Sequence, residues 1–310
     1  MSADAELEEA LYQHVHALTV DIGPRAPFLG DGLARAACYI ERALEEAGLG
    51  LERQRYQFHG LEVRNLIAAP EKAPACGDHL LVAAHYDSVP QSPGADDNAS
   101  AVAVLLELAR RFAATSAPIR FCAFTLEEPP AFHTRLQGSR VFVERLGPGL
   151  RRIKAALVLE MVGYTAPVQR YPAALRWLGY PERGDFLGLI GDFRSRALVR
   201  TLHGLLQAFG EPPVERLVVP CRGWLLPDVR LSDHAVFWDR GIPAVMLTDT
   251  AFYRNPHYHR PTDTIDTLDF PFMARLVRGL SFALLGLIRW QGLACGSSQA
   301  CGRPGTGADA

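Results

Sequence analysis

Side chains that can bind a divalent metal ion occur at or just beyond the ends of several apolar segments of the sequence. In chain order they are His85, Asp97, Glu127, Glu128, Glu160 and His259. Histidine and carboxylate ligands together suit zinc or a related divalent ion. In an open α/β sheet, ligands gather beyond the carboxyl ends of the strands. The pattern therefore predicts one shared metal site and a metal-dependent hydrolase.

The adjacent carboxylates Glu127 and Glu128 suggest how such a site could work. Two neighbouring carboxylates at a strand end repel each other unless a cation or a proton intervenes. A division of labour fits this pair, in which one glutamate binds metal and the other takes a proton from the water that the metal activates. Asp87, two residues after His85, points to the same side of an extended chain and can reach the histidine ring.

Each of these residues, taken alone, also has an ordinary structural interpretation. A buried histidine with satisfied hydrogen bonds would explain His85, and a polar surface loop would explain His259. The segment around Asp97 resembles a helix N-terminus, where Asn98 or Ser100 could act as the cap. The joint occurrence of all these groups at one edge of one predicted sheet favours the metal site.

The elements that must position these residues alternate between strands and helices. Apolar or alternating segments predict strands at residues 51–58, 61–68, 80–84, 119–125, 153–159, 186–190, 214–219 and 244–248. Helical periodicity covers residues 7–18, 32–47, 99–112, 139–146, 195–209, 233–238 and 268–290. The alternation predicts an α/β fold, a three-layer sandwich with a mixed, mostly parallel central sheet and helices on both faces.

No linker divides the chain, which predicts a single catalytic domain over residues 1–292 and a disordered tail over residues 293–310. The irregular segment 165–184, rich in Pro, Tyr and Arg, predicts a loop over the site. The net charge of −2 argues against nucleic acid as a partner. The acidic N-terminus lacks a signal-peptide pattern, and we find no stretch of about 20 apolar residues. We therefore expect a cytoplasmic protein with no membrane partner, and the oligomeric state stays open.

These motifs resemble those of the di-zinc metallopeptidases that include the bacterial zinc aminopeptidases and the glutamate carboxypeptidase II type, with the glutaminyl cyclases as relatives. The resemblance runs from about residue 64 to residue 268. The matching segments are His85-Tyr86-Asp87, Gly94 to Ser100, Glu127-Glu128, Glu160 to Gly163, Ser232-Asp233-His234, Tyr258-His259 and Asp263-Thr264.

The resemblance implies two zinc ions and a role for each residue. The zinc ligands would be His85, Asp97, Glu128, Glu160 and His259, with Asp97 bridging the two ions. Glu127 would be the general base, and Asp87, also counted among the catalytic residues, would lie behind the zinc ligands and contact the ring of His85. Tyr258, Asp233 and His234 would form the wall of the site or its surroundings. The resemblance also implies a cis peptide after Asp97, and Glu160 departs from the aspartate that is frequent in the family.

The function implied is an aminopeptidase that acts on a peptide or small amide substrate. A mono-zinc, glutaminyl cyclase-like acyltransferase is one alternative, and a non-catalytic binding domain on the same fold is another. A carboxypeptidase or amidohydrolase is also open, for which Arg170, Arg176, Arg222 and Arg230 are the candidate cations.

Overall fold

A computed structural model describes residues 2–75, 77–172, 175 and 178–293 of the 310-residue chain. Its eight strands are β1 (Leu49–Phe58), β2 (Leu61–Pro70), β3 (His79–His85), β4 (Ile119–Phe124), β5 (Ile153–Glu160), β6 (Leu187–Asp192), β7 (Val214–Val219) and β8 (Ala244–Thr248). They form one sheet in the order β1-β2-β4-β3-β5-β8-β6-β7.

The centre of the sheet is parallel and its two sides are not. Strands β4, β3, β5 and β8 run parallel, so their carboxyl ends lie along one edge, called the carboxyl edge below. The β1–β2 hairpin joins β4 in antiparallel fashion, and β6 is antiparallel to β8 but parallel to β7. The prediction of a mixed, mostly parallel sheet is confirmed.

Helices cover both faces of the sheet. They are α1 (Ala3–His16), α2 (Gly32–Glu46), α3 (Ala101–Phe112), α4 (Gly138–Leu146), α5 (Arg196–Phe209), α6 (His234–Asp239) and α7 (Phe270–Trp290). In β3, Leu80 and Val82 belong to one hydrophobic cluster, and Leu81 and Ala83 belong to a second. Successive side chains of a strand point to opposite faces, so the two clusters lie on opposite sides of the sheet and confirm the three layers.

The segment before α3 differs from the helix N-terminus that the sequence predicts. Residues Ala95–Ser100 form a π-helical turn with non-helical backbone at Asp97 and Asn98, and the peptide between these two residues is cis, as the resemblance implies. Asn98 does not cap the helix; it donates to the Leu159 carbonyl and accepts from the Met161 amide. The polar side chains before α3 therefore attach this turn to the end of β5.

Helix α7 corrects one sequence expectation. It is long and apolar enough, by length and composition, to cross a membrane, so the statement that no such segment exists is wrong. However, 61% of the most apolar 18-residue stretch of this helix is buried inside the protein, where α7 packs on α1, α3 and α5. Its hydrophobicity is explained by its position in the core. Leu293, after α7, is also buried and its amide donates to Ile288, whereas residues 294–310 of the predicted tail lie outside the described residues.

Candidate metal centre

The carboxyl edge brings together all the ligand candidates from the sequence. His85 ends β3, Glu160 ends β5, and Glu128 follows β4. Asp97 lies in the turn before α3, and His259 lies in the loop after β8. These residues form two groups whose ligand atoms lie within 4.8 Å of one another, His85–Asp97–Glu160 and Asp97–Glu128–His259.

Asp97 belongs to both groups and directs one oxygen to each. Its Oδ1 is 3.5 Å from His85 Nε2, and its Oδ2 is 3.2 Å from His259 Nε2. Glu160 Oε2 lies 3.5 Å from His85 Nε2, and Glu128 Oε1 lies 3.0 Å from His259 Nε2. A carboxylate with one oxygen in each of two ligand groups has the geometry of a bridge between two cations.

The donor set fits divalent cations, and His85 shows this best. Its Nε2 is buried without a hydrogen-bond partner and faces Asp97, Glu127 and Glu160 at 3.5 to 3.9 Å, which is too long for a good hydrogen bond. Burial lowers the pKa of His85, but Glu160 and Glu127 outweigh burial and raise it well above its usual value. A cation in the midst of these groups would satisfy the nitrogen and balance the carboxylates.

The same excess of negative charge appears around the second group. Burial raises the pKa of Glu128 to about 8, with Asp97 as the next contribution in the same direction. Burial lowers the pKa of His259, but hydrogen bonds to Asp97 and Glu128 raise it to about 10. Imidazole and carboxylate donors in groups of three match the ligand sets that proteins use for zinc.

Asp87 holds the two glutamates in place through their backbone. Its Oδ1 accepts from the Glu127 amide at 3.0 Å and its Oδ2 from the Glu128 amide at 2.9 Å. The same Oδ1 is 3.5 Å from His85 Nδ1. Asp87 thus positions a histidine and both glutamates, and its contacts do not reach a reacting atom. We interpret it as a positioning residue.

Asp263 holds the backbone of the turn that carries Asp97, in the same way as Asp87 holds the backbone of the two glutamates. No role was predicted for Asp263. Its two oxygens accept from the amides of Asp96 and Asp97 at 2.9 and 3.2 Å. Asp96, the other aspartate of the pair, turns away from the ligand groups and accepts from the Gly163 amide and from Asn255. The polar loop after β8 thereby fixes the turn that carries Asp97, the carboxylate shared by the two groups.

Arg25 supports the backbone beside the ligand groups, and no feature of the sequence predicted this role. It is fully buried, and its guanidinium donates to the backbone carbonyls of Tyr86, Pro93 and Gly94, with further bonds to Leu18 and Gly23. Burial lowers its pKa to about 10, which leaves it charged at neutral pH. A single arginine in a loop has no periodicity or spacing that distinguishes it from a surface charge.

The three residues of the Ser232-Asp233-His234 segment have different places. Ser232 Oγ donates to Glu160 Oε2 at 2.6 Å, so the serine is the member that touches a ligand. Asp233 accepts from Ser139 and Gln137, and burial raises its pKa to about 6. His234 bonds the Val229 carbonyl, packs edge-on against Trp238 and has its pKa lowered by burial to about 3. The start of α6 turns the ring of His234 toward Val229 and Trp238, and a role for it in the surroundings of the site stays a prediction.

A largely apolar cavity of about 220 Å³, called the side cavity below, opens beside the first ligand group. Its walls include Glu160, Tyr258, Met246, Ile190, Leu217 and Glu215, together with Gln169, Arg170 and Tyr171 of the predicted loop. The loop over residues 165–184 therefore does cover this region, in the part that the structure describes. Tyr258 stacks on His259, with ring centroids 3.8 Å apart, and so connects the cavity to the second ligand group.

The arginines proposed to hold a substrate carboxylate have different environments. Arg230 is buried, pairs with Asp239 and stacks on Trp224, so it is committed to the fold. Arg222 is exposed, and its carbonyl accepts from Arg230. Arg170 is exposed at the side cavity, and Arg176 lies outside the described residues.

Comparison with known proteins agrees with the fold. Residues 65–282 match the model of peptidase family M28. A protein of Escherichia coli K12 called uncharacterized protein YfbL is 37% identical over 286 residues, which cover 88% of this chain and 86% of that protein. A probable leucine aminopeptidase of Arthroderma benhamiae is 28% identical over 63% of this chain, and the match spans only 50% of the fungal protein.

Among solved structures, a zinc aminopeptidase from Bacillus subtilis is similar with a TM-score of 0.70 and 17% identity. The match covers 91% of this chain and 95% of that one. At this identity the likeness shows the fold, and the ligand groups above rest on the geometry of this chain alone.

We expect Arg25→Lys to lower the free energy of unfolding by about 2–4 kcal/mol, because a lysine cannot serve five carbonyls and leaves buried acceptors unsatisfied. Urea unfolding followed by tryptophan fluorescence measures the change. The matched control is Arg35→Lys at an exposed position of α2, which should stay within about 0.5 kcal/mol. Equal midpoints for the two variants would contradict the role of Arg25.

Proposed function

Since this chain belongs to peptidase family M28, we propose that it is a zinc-dependent aminopeptidase that hydrolyses the first peptide bond of its substrate. One observation carries the proposal. The carboxylate of Asp97 lies between a His85 group and a His259 group, with the buried carboxylate of Glu127 directed at the same place. This arrangement supports hydrolysis assisted by a pair of cations.

The two ligand groups would hold one zinc ion each. His85, Asp97 and Glu160 would hold the first, and Asp97, Glu128 and His259 the second. When bound, the ions polarise the scissile carbonyl and lower the pKa of water to the neutral range. Glu160 is a methylene longer than aspartate, and the bond from Ser232 fixes its extra length in one orientation.

Glu127 is the residue that moves the proton. Its Oε2 lies 3.9 Å from His85 Nε2, its backbone is held by Asp87, and burial raises its pKa well above the usual value. A carboxylate of raised basicity at this place accepts a proton from the attacking water and delivers it to the amine of the leaving peptide.

Glu160 supports exopeptidase rather than endopeptidase action. It belongs to the first ligand group and also to the wall of the side cavity. A substrate with its first side chain in the cavity therefore places its free amino group beside carboxylates. A blocked amino terminus lacks the positive charge that these carboxylates attract. It also adds bulk where the side cavity meets the first ligand group.

The mono-zinc, cyclase-like alternative would leave one of the two ligand groups without an ion. A single ion in the Asp97–Glu128–His259 group would leave the buried Nε2 of His85 without a partner. Leaving a buried polar atom unpaired costs about 1–3 kcal/mol, so the first group favours a second ion.

Zinc content tests the two-ion proposal directly. We expect two zinc ions per chain by elemental analysis of the purified, zinc-loaded protein, and one ion in His85→Ala. The control is His59→Asn in the exposed β1–β2 turn, which should keep both ions. One tightly held ion in the unmodified protein would support the cyclase-like alternative.

Glu127→Gln should keep the zinc content and lower kcat by about 10²- to 10⁴-fold, the usual effect of removing a general base. Glu144→Gln, the same chemical change on the exposed side of α4, should leave kcat unchanged. Full activity in Glu127→Gln would refute the role of this residue.

Substrates with and without a free amino group distinguish the peptidase classes. We expect hydrolysis of aminoacyl 4-nitroanilides and no hydrolysis of their N-acetyl forms. Cleavage of N-blocked dipeptides with a free carboxyl end would instead indicate a carboxypeptidase.

A further inference from the structure

Four residues on neighbouring strands form a row that leads away from the metal centre. Glu160 of β5 pairs with Thr248 of β8, Thr248 pairs with Gly188 of β6, and Gly188 pairs with Glu215 of β7. Paired residues lie on the same face of a sheet, and strands are about 4.8 Å apart. The row therefore spans about 14 Å from Glu160 to Glu215, and all four residues line the side cavity.

The row forms the floor of a largely apolar channel with a carboxylate at each end. Gly188 has no side chain, so the floor is low at the middle of the row. The next row on the same face consists of Met246, Ile190 and Leu217, which are also cavity walls. A group that enters from the metal centre thus passes over apolar surface before it reaches Glu215.

Glu215 has no cationic partner within 4.0 Å among the residues that the structure describes. It is half-buried, and this burial raises its pKa. Arg216, the next residue of β7, also lines the side cavity and acts electrostatically on both Tyr180 and His203 of α5, but it makes no ion pair with Glu215 within 4.0 Å in the described part of the chain. Arg170 is exposed on the covering loop and makes no ion pair with Glu215.

Two tyrosines complete the far end of the channel. Tyr171, Tyr180 and Glu215 all line the side cavity. Burial raises the pKa of both tyrosines, and the charge of Glu215 adds to this rise. The ring centroids are 5.8 Å apart. The hydroxyls donate to the carbonyls of Pro181 and Arg216, so the carboxylate does not depend on them for hydrogen bonds. An unpaired carboxylate beside aromatic rings is a favourable environment for an organic cation.

We propose that the side cavity selects peptides whose first residue is lysine or arginine, with the cationic end of that side chain paired to Glu215 beside Tyr171 and Tyr180. The assignment rests on the proposed aminopeptidase function and names its substrate class. Lysine and arginine combine an apolar stem with a charged end, which matches an apolar channel that ends in a carboxylate. A neutral apolar side chain also fits the channel, but it leaves the half-buried carboxylate without an ionic partner.

Arginine and citrulline substrates separate charge from shape, because citrulline is the neutral isostere of arginine. We expect kcat/KM for the arginyl 4-nitroanilide to exceed that for the citrullyl compound by about 10-fold or more, as for a hydrogen bond to a charged group. The lysyl compound should exceed the norleucyl compound in the same way. In Glu215→Gln both ratios should fall to about 1, with the two neutral substrates changed less than about 2-fold.

Glu182→Gln is the matched control, since Glu182 is an exposed carboxylate of the covering loop that does not line the cavity. It should retain both ratios. Each ratio is measured within one variant, so a loss of folded protein lowers both rates and leaves the ratio unchanged.

The possible failures are distinguishable. Equal hydrolysis of arginyl and citrullyl substrates by the unmodified protein, or ratios that survive Glu215→Gln, would overturn the role of Glu215 and leave the aminopeptidase proposal standing. Failure to cleave any of these free-amine substrates would overturn the aminopeptidase proposal, and the assignment of Glu215 with it.

Discussion

The crowding of buried carboxylates at the carboxyl edge is the constraint on which the rest of the structure depends. Asp97, Glu127, Glu128 and Glu160 are each at most 6% exposed. Unpaired buried charges cost several kcal/mol each, and four in one place also repel one another. The fold is stable with such a cluster only if cations or protons balance it and the backbone holds it in position. Bound metal ions would therefore stabilise the folded protein as well as supply the chemistry.

The same kind of hydrogen-bonded contact holds the cluster at two places. Asp87 accepts the amides of Glu127 and Glu128, and Asp263 accepts those of Asp96 and Asp97. In each case one carboxylate fixes two consecutive peptide units of a different loop, and charge-assisted bonds of this kind are stronger than neutral ones. The partners are 40 to 167 residues apart in sequence, so the ligands reach their positions only once the sheet has assembled.

The strands and the ligands could be predicted because each leaves a local signal. Buried strands are short apolar runs, and Glu160 and His85 stand at the ends of theirs. The details around the ligands have no such signal. Asn98 has the composition of a helix cap but bonds β5, and His234 belongs to a matching motif but faces Trp238. Most of the carbonyls that accept from Arg25 are more than 60 residues away in sequence, so its role is visible only in the folded structure. Glu215 looks like an ordinary polar position of a strand until the register of β6 and β7 places it opposite Gly188.

Strands β6 and β7 join the sheet through the antiparallel contact of β6 with β8, and neither provides a metal ligand. They do provide the floor and the far end of the side cavity. The floor and far end of the side cavity thus come from strands that carry no ligand candidate, whereas Glu160 belongs to both the cavity and the first ligand group. Substitutions within β6 and β7 can therefore change which side chain the cavity accepts while both ligand groups stay unchanged.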